Sequence, residues 1–127
     1  MGPTSWQVLS SISAFANDFL NDDGGYIVIG VDDKPSADGT LNVHGVPERE
    51  IDKIQTQIVG LCKGHIKPAY QPRLSPEFYE GKHVLVIWAT ASDKGPHQCR
   101  ESANGGFQYY IRRATSTVKA SDRKSVV

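Results

Sequence analysis

Residues 21–33 read NDDGGYIVIGVDD, and this stretch decides the fold class. The Asn, Asp and Gly residues at 21–25 accept turn conformations at little cost, so a preceding element should end there. The apolar run Tyr26–Val31 follows at once and predicts a strand that is covered on both faces. Asp32 and Asp33 then end that strand. The pattern indicates an element, a turn and a buried strand in direct succession.

Two amphipathic helices are expected around this strand. From Ser5 to Leu20, apolar residues recur at steps of three and four, which is the pattern of a helix with one buried face. A second helix is expected from Pro47 to Cys62, because acidic residues occupy its first turn and isoleucines recur on one face. Gly64 should end it, and a short strand near 41–43 should precede it.

The second half of the chain has mainly the pattern of strands. Residues 70–74 and 83–89 predict a hairpin, and residues 106–112 alternate apolar with polar side chains as a further strand. No repeat or linker divides the chain, so residues 1–127 are expected to form one domain. The predicted fold class is α/β (α+β), with a mixed, largely antiparallel sheet packed against two main helices.

Composition restricts the class of protein. The chain is 39% hydrophobic and 22% charged, which is typical of a globular domain. No run approaches the roughly 18 apolar residues of a membrane span, and the first residues lack the features of a signal peptide, so we expect a cytoplasmic protein without membrane contact. Cys62 and Cys99 lie far apart and the four histidines lack ligand spacing, so a zinc site is not expected. We predict no cofactor for this chain.

Glycines and aspartates around the first strand are the first candidates for chemistry. Gly24, Gly25 and Gly30 fit neither G-x-x-x-x-G-K-[ST] nor G-x-G-x-x-G, so we interpret them as geometric rather than as a phosphate loop. Asp32 and Asp33 could bind a metal ion with a third carboxylate. We favour the alternative that they are turn residues whose side chains bind backbone N–H groups.

Charge is divided unevenly along the chain although the net charge is zero. Residues 1–62 carry three basic and nine acidic side chains, a balance of −6, and residues 63–127 carry 11 basic and five acidic side chains, a balance of +6. A local positive field attracts phosphates whatever the total charge, so the division indicates a polyanionic partner. If the two halves interleave in the fold, the charges cancel instead.

The basic half ends in cationic, hydroxyl and aromatic side chains, the types that contact phosphates and stack on bases. Tyr109 and Tyr110 are adjacent in a strand, which places one of them on the outer face. A solvated edge strand, whose charges prevent aggregation, would have the same composition. The residues predicted to bind nucleic acid are Arg112, Arg113, Lys119, Ser116, Thr117, Tyr110, Lys94, His97 and Arg100.

Three motifs together resemble the Schlafen AlbA-like domain family: residues 12–18 (ISAFAND), residues 24–33 (GGYIVIGVDD) and residues 109–112 (YYIR) followed by Ser116 and Thr117. The resemblance implies DNA binding, in preference to RNA, by a module of a larger bacterial transcriptional regulator or helicase-related protein. An older classification of the family implies a divergent AAA-type domain that binds ATP. The structural motif that the resemblance assigns consists of Asn17, Gly24, Gly25, Gly30, Asp32 and Asp33.

Two departures from the family pattern define the alternatives. Family members begin with a Glu-rich strand, whereas this chain starts at the first helix, so we expect a fragment that lacks this strand and most of a final helix. In the vertebrate Schlafen nucleases those glutamates form an RNA-cleaving site with an aspartate that corresponds to Asp32 or Asp33. The second departure is Arg112-Arg113-Ala114 in place of Arg-x-Gly. Because the glycine is replaced, the resemblance does not establish the family's tight turn after the last strand.

The expected function is therefore nucleic-acid binding without catalysis. One alternative is a metal-dependent nuclease fragment that uses Asp32 or Asp33, and another is the nucleotide-binding domain of the older classification. A third is an interaction module that docks a protein by strand addition at an exposed sheet edge. A homodimer is compatible with each of them.

Overall fold

The computed structural model describes residues 5–18, 23–32, 37–40, 42–113 and 116–120. Within these ranges the strands form two antiparallel sheets, one of three strands in the order β1-β4-β3 and one of four strands in the order β2-β5-β6-β7. The α+β class with two main helices is confirmed, with two sheets in place of one. The elements are α1 (Ser5–Ala16), β1 (Gly25–Ile29), α2 (Glu48–His65), β2 (Ile66–Lys67), β3 (Arg73–Tyr79), β4 (Lys82–Ala89), β5 (Gln98–Arg100), β6 (Phe107–Arg113) and β7 (Ser116–Lys119).

Helix α1 connects the two sheets. It contacts β4 of the three-stranded sheet and β5, β6 and β7 of the four-stranded sheet. Its predicted apolar face is buried, with Leu9 and Ile12 at 1% and 0% exposure. The helix ends at Ala16, earlier than predicted, and Leu20 lies outside the described residues. Neither described helix is both long enough and apolar enough to cross a membrane.

Strand β1 has one buried and one exposed face. Ile27 and Ile29 pack against the core, whereas Tyr26 and Val28 are 62% and 38% exposed. The prediction that both faces are covered is wrong, because β1 is an edge strand of an antiparallel sheet and pairs with β4 alone in the described structure. On the exposed face of β1, the Tyr26 ring stacks on Trp88 of β4 at 5.8 Å between centroids, so these two apolar rings cover one another.

Glycines at the start of β1 allow the close approach of α1 and β4. Gly24 has a φ of +66°, and a Cβ there would lie 1.7 Å from the carbonyl oxygen of Ala89. A Cβ on Gly25 would lie 2.0 Å from the Phe15 ring. At the other end of β1, the carbonyl oxygen of Gly30 accepts hydrogen bonds from the segment that leads to α2. These positions act through backbone geometry.

Helix α2 begins at Glu48 and continues to His65 through Gly60 and Gly64, so the predicted end at Gly64 is one residue early. Its buried residues are on the predicted face and include Ile58. In the segment before it, Val43 forms an isolated bridge with Val31, whereas residue 41, the first of the predicted short strand, lies outside the described residues.

The predicted hairpin is confirmed as β3 and β4, although β3 begins at Arg73 rather than at residue 70. Tyr79 pairs with Lys82 across a two-residue turn in which Glu80 and Gly81 have φ values of 49° and 77°. Two successive positive φ values are characteristic of the turn type whose twist matches a hairpin.

Candidate nucleic-acid interface

The four-stranded sheet has an inner and an outer face. Residues that pair directly across antiparallel strands lie on the same face, and successive residues alternate between faces. Ile66, Cys99 and Tyr110 are buried and belong to the inner face, which packs on α1. We define the outer face by the residues that the register places on the opposite side: Lys67, Gln98, Arg100, Phe107, Tyr109, Ile111, Arg113 and Val118.

Side-chain contacts confirm this assignment at one end of the outer face. The Lys67 Nζ atom lies 4.6 Å from the centroid of the Phe107 ring, and the Cζ atom of Arg100 lies 4.7 Å from the same centroid. Arg100 also donates a hydrogen bond from its guanidinium to the carbonyl oxygen of Gly105 at 3.0 Å. Two cations from two strands are therefore held beside one aromatic ring, which attracts them through its quadrupole.

The remainder of β6 extends the outer face away from this cluster. Tyr109 is 43% exposed and lies two residues, or about 7 Å, beyond Phe107 along the strand. Arg113 is exposed and lies four residues further, at about 14 Å from Tyr109. Ile111 lies between them and is partly buried. The face thus has cations at both ends and an exposed aromatic ring between them.

Acidic side chains do not neutralise these cations within the described part of the chain. The described carboxylates that lie within 4.0 Å of a basic group are those of Asp32, Glu48 and Glu101. Their partners are His44, His83 and Lys119, none of which belongs to the outer face. The outer face therefore carries net positive charge.

Arg112 lies on the inner face, opposite to its neighbour Arg113. Its Nη1 atom donates a hydrogen bond to Thr117 Oγ1 at 2.7 Å, and its Cζ atom lies 4.5 Å from the centroid of the Phe15 ring. Thr117 in turn shares a hydrogen bond with Ser11 of α1 at 3.1 Å. Burial lowers the pKa of Arg112, and the charge of Asp18 partly opposes that shift. Arg112 and Thr117 thus attach β6 and β7 to α1.

His97 and Tyr110 are buried, so the surface positions that the sequence predicted for them are wrong. The ring of His97 is hydrogen-bonded through Nδ1 to the carbonyl oxygen of Pro68 at 2.7 Å and through Nε2 to Ser92 Oγ at 2.8 Å. Asn17 completes the cluster, since its Nδ2 atom donates to the carbonyl oxygens of His97 and Tyr110, each at 2.9 Å, and its Oδ1 atom accepts from the His97 N–H at 2.7 Å. These side chains fasten α1 to the inner face.

The other predicted binding residues are dispersed. Lys119 forms an ion pair with Glu101 at 3.2 Å, and Lys94 is exposed in the turn region between β4 and β5. Ser116 pairs with Arg113 in the backbone register. Of the nine predicted residues, Arg100 and Arg113 have their side chains on the outer face, at its opposite ends.

Sequence reasoning missed Lys67, Gln98 and Phe107, and it selected Tyr110 rather than Tyr109. Lys67 lies in a two-residue strand, which is too short to show a period. Phe107 and Tyr109 do follow the alternation of β6: they lie two residues apart on one face, and the buried Tyr110 lies on the other.

The Asp32 carboxylate is engaged in contacts with neighbouring side chains. Its carboxylate accepts a hydrogen bond from the Asn42 side chain and lies 3.4 Å from His44 Nε2. Asp33 lies outside the described residues. Among the residues that the structure describes, no group of three or more His, Cys, Asp or Glu side chains could hold a metal ion.

Comparison with known proteins gives the family. The family model described as Schlafen, AlbA_2 matches residues 2–121. No curated protein matches the chain. A similar solved structure is the solution NMR structure of the N-terminal domain of an ATP-dependent DNA helicase RecG-related protein from Nitrosomonas europaea, with 30% identity, a TM-score of 0.61 and coverage of 94% of this chain and 75% of that one.

A second similar structure supports the fold alone. The DIP2311 protein from Corynebacterium diphtheriae has 22% identity and a TM-score of 0.59, with coverage of 91% of this chain and 17% of that one. The family match covers nearly the whole of the present sequence, and the 30% identity to the Nitrosomonas domain agrees with it. The chain belongs to the Schlafen AlbA_2 family.

Proposed function

We propose that this chain is a nucleic-acid-binding module of a helicase-related protein and that the outer face is its contact surface. One observation carries the proposal: Lys67, Arg100 and Arg113 lie on the same sheet face as the exposed Tyr109 ring, and no described carboxylate lies within 4.0 Å of these cations. The family and the RecG-related neighbour support it. DNA is favoured over RNA because that neighbour is named for a DNA helicase.

Phosphate contact is the proposed source of affinity. Lys and Arg side chains bind phosphate oxygens without reading sequence, and the release of condensed counterions makes such binding depend on salt. Arg113 at one end of the outer face and the Lys67–Arg100 pair at the other would hold two separate parts of a nucleic-acid backbone. Binding of this kind needs no catalytic group, and we propose none.

A salt titration tests this proposal. Fluorescence anisotropy of a labelled DNA oligonucleotide gives the dissociation constant at several salt concentrations, and three phosphate contacts predict a slope of log affinity against log salt of about −2 to −3. Arg113→Ala should flatten the slope by about one unit. Lys53→Ala, which removes an exposed cation of α2, is the matched control and should leave the slope unchanged.

Two results would refute the proposal. One is the absence of binding to DNA and to RNA at low salt. The other is binding whose affinity and salt slope do not change when Lys67, Arg100 and Arg113 are replaced together by alanine, with circular dichroism showing that the variant is folded.

A further inference from the structure

The shape of the outer face restricts the form of nucleic acid that it can bind. A sheet of four strands spaced about 4.8 Å apart is about 14 Å across between its outermost backbones, before side chains are counted. The major groove of B-DNA is about 12 Å wide and admits a helix or a two-stranded ribbon. The outer face therefore cannot enter that groove to reach the bases of a duplex.

The aromatic side chains of the outer face can contact bases only when the bases are unpaired and turned outward. Phe107 already has two cations against its ring, at 4.6 and 4.7 Å from the centroid. Tyr109 is more exposed, at 43%, and no ring or cation of the described residues lies over it. A base from a single strand can stack on such a ring regardless of its sequence, because every base has a π face.

The polar and apolar neighbours of Tyr109 can contact an extended single strand of nucleic acid. Gln98 pairs with Tyr109 across β5 and β6, and Lys67 pairs with Gln98 across β2 and β5, so the three lie in one row across the sheet. Ile111 continues the face along β6 towards Arg113. A single-stranded nucleic acid that crosses Tyr109 would have the Gln98 amide beside the stacked base. Its phosphates would have Lys67 on one side and Arg113 on the other.

We propose that the outer face binds single-stranded nucleic acid in preference to duplex, with one base stacked on Tyr109 and the backbone held by Lys67, Arg100 and Arg113. This inference rests on the nucleic-acid binding proposed above. It adds the form of the ligand and a base-stacking residue.

The test compares three labelled probes of equal length at one salt concentration: a thymidine oligonucleotide, a uridine oligoribonucleotide and a blunt DNA duplex. Anisotropy should show the single strands bound about 10-fold or more tighter than the duplex. Tyr109→Ala and Tyr109→Leu should each weaken single-strand binding roughly 5- to 100-fold, because both remove the ring and the Leu variant keeps apolar bulk in the strand. Tyr109→Phe should bind within about twofold of the wild type, since it keeps the stacking ring.

Tyr79→Ala is the matched control, since Tyr79 is 49% exposed on β3 of the other sheet and should not affect binding. Removal of the Tyr109 ring should leave the salt slope unchanged, because it removes no phosphate contact. Duplex binding as tight as single-strand binding, or Tyr109→Ala and Tyr109→Leu variants of unchanged affinity, would overturn this inference and leave the proposed function standing. Failure to bind any probe would refute the proposed function itself.

Discussion

Replacing Asn17 with alanine should destabilise the fold strongly, because this side chain makes three buried hydrogen bonds between α1 and the four-stranded sheet. It donates to the carbonyl oxygens of His97 and Tyr110 and accepts from the His97 N–H. Asn17 is 7% exposed and His97 is fully buried, so water cannot readily replace the lost partners. Of the backbone groups left behind, the carbonyl oxygen of His97 retains a longer hydrogen bond from Ser13 Oγ at 3.4 Å as its one remaining side-chain contact among the described residues.

The magnitude follows from the number of bonds. At about 1 kcal/mol of net stability for each hydrogen bond, Asn17→Ala should lower the free energy of unfolding by about 3 kcal/mol. For a domain of this size that corresponds to a fall in Tm of about 10–15 °C. Asn104→Ala, at an exposed turn position, is the control and should change the free energy of unfolding by less than about 0.5 kcal/mol.

Urea denaturation followed by circular dichroism measures both variants. A change of less than about 1 kcal/mol for Asn17→Ala would show that the buried amide does not hold the helix to the sheet. Asn17→Asp provides a second test, because it places a carboxylate against two carbonyl oxygens. Burial and those oxygens favour the protonated acid and raise its pKa, so the stability of this variant should rise as the pH is lowered from 7 towards 5. A stability that falls over that range would contradict the hydrogen-bond assignment.

Three further predictions concern adjacent arginines, buried thiols and a hairpin turn. Arg112→Ala should lower the free energy of unfolding by about 1–2 kcal/mol and leave nucleic-acid affinity unchanged. Arg113→Ala should weaken nucleic-acid affinity and leave the free energy of unfolding unchanged. If denaturation and anisotropy gave the opposite pattern, the assignment of the two arginines to the two faces would be contradicted. Burial raises the pKa of Cys62 and Cys99 to about 12, so at pH 8 only about one thiol in 10⁴ is ionised. Ellman's reagent should therefore react with them only after unfolding, and rapid reaction in the native state would count against their burial. Glu80→Asn should raise the free energy of unfolding by about 0.5–1 kcal/mol, because Glu80 has a φ of 49°, which Asn tolerates better; a loss of stability in the same denaturation assay would argue against this turn.

Long periodic segments carried enough information to predict the elements they form. The isoleucines of α2 recur at helical spacing, and Ile51 and Ile58 are buried as expected. The run at 83–89 and the turn before it likewise predicted β4 and its hairpin. Strands β2 and β5 have two and three residues, so no period could reveal them, and the four-stranded sheet that they complete was not foreseen.

The composition of the proposed binding surface could not be predicted because it depends on strand register. Arg112 and Arg113 are chemically identical neighbours, and the packing of Phe15 of α1 against Arg112 identifies the inner one. Histidine is a residue type that often binds ligands at a surface, but His97 is buried through hydrogen bonds to Pro68 and Ser92. Pro68 is distant in sequence and Ser92 lies in an irregular segment, so no sequence pattern reveals these contacts. The uneven charge along the chain did identify the basic half, which supplies Lys67, Arg100 and Arg113.

The most direct test of the outer face as the binding surface is an NMR titration of ¹⁵N-labelled protein with a short single-stranded oligonucleotide. We expect the largest amide shift changes in β5 and β6 on that face, at Gln98, Arg100, Tyr109 and Arg113, with smaller changes across α2. Changes concentrated on the exposed face of the three-stranded sheet around Tyr26, with β5 and β6 unaffected, would contradict it.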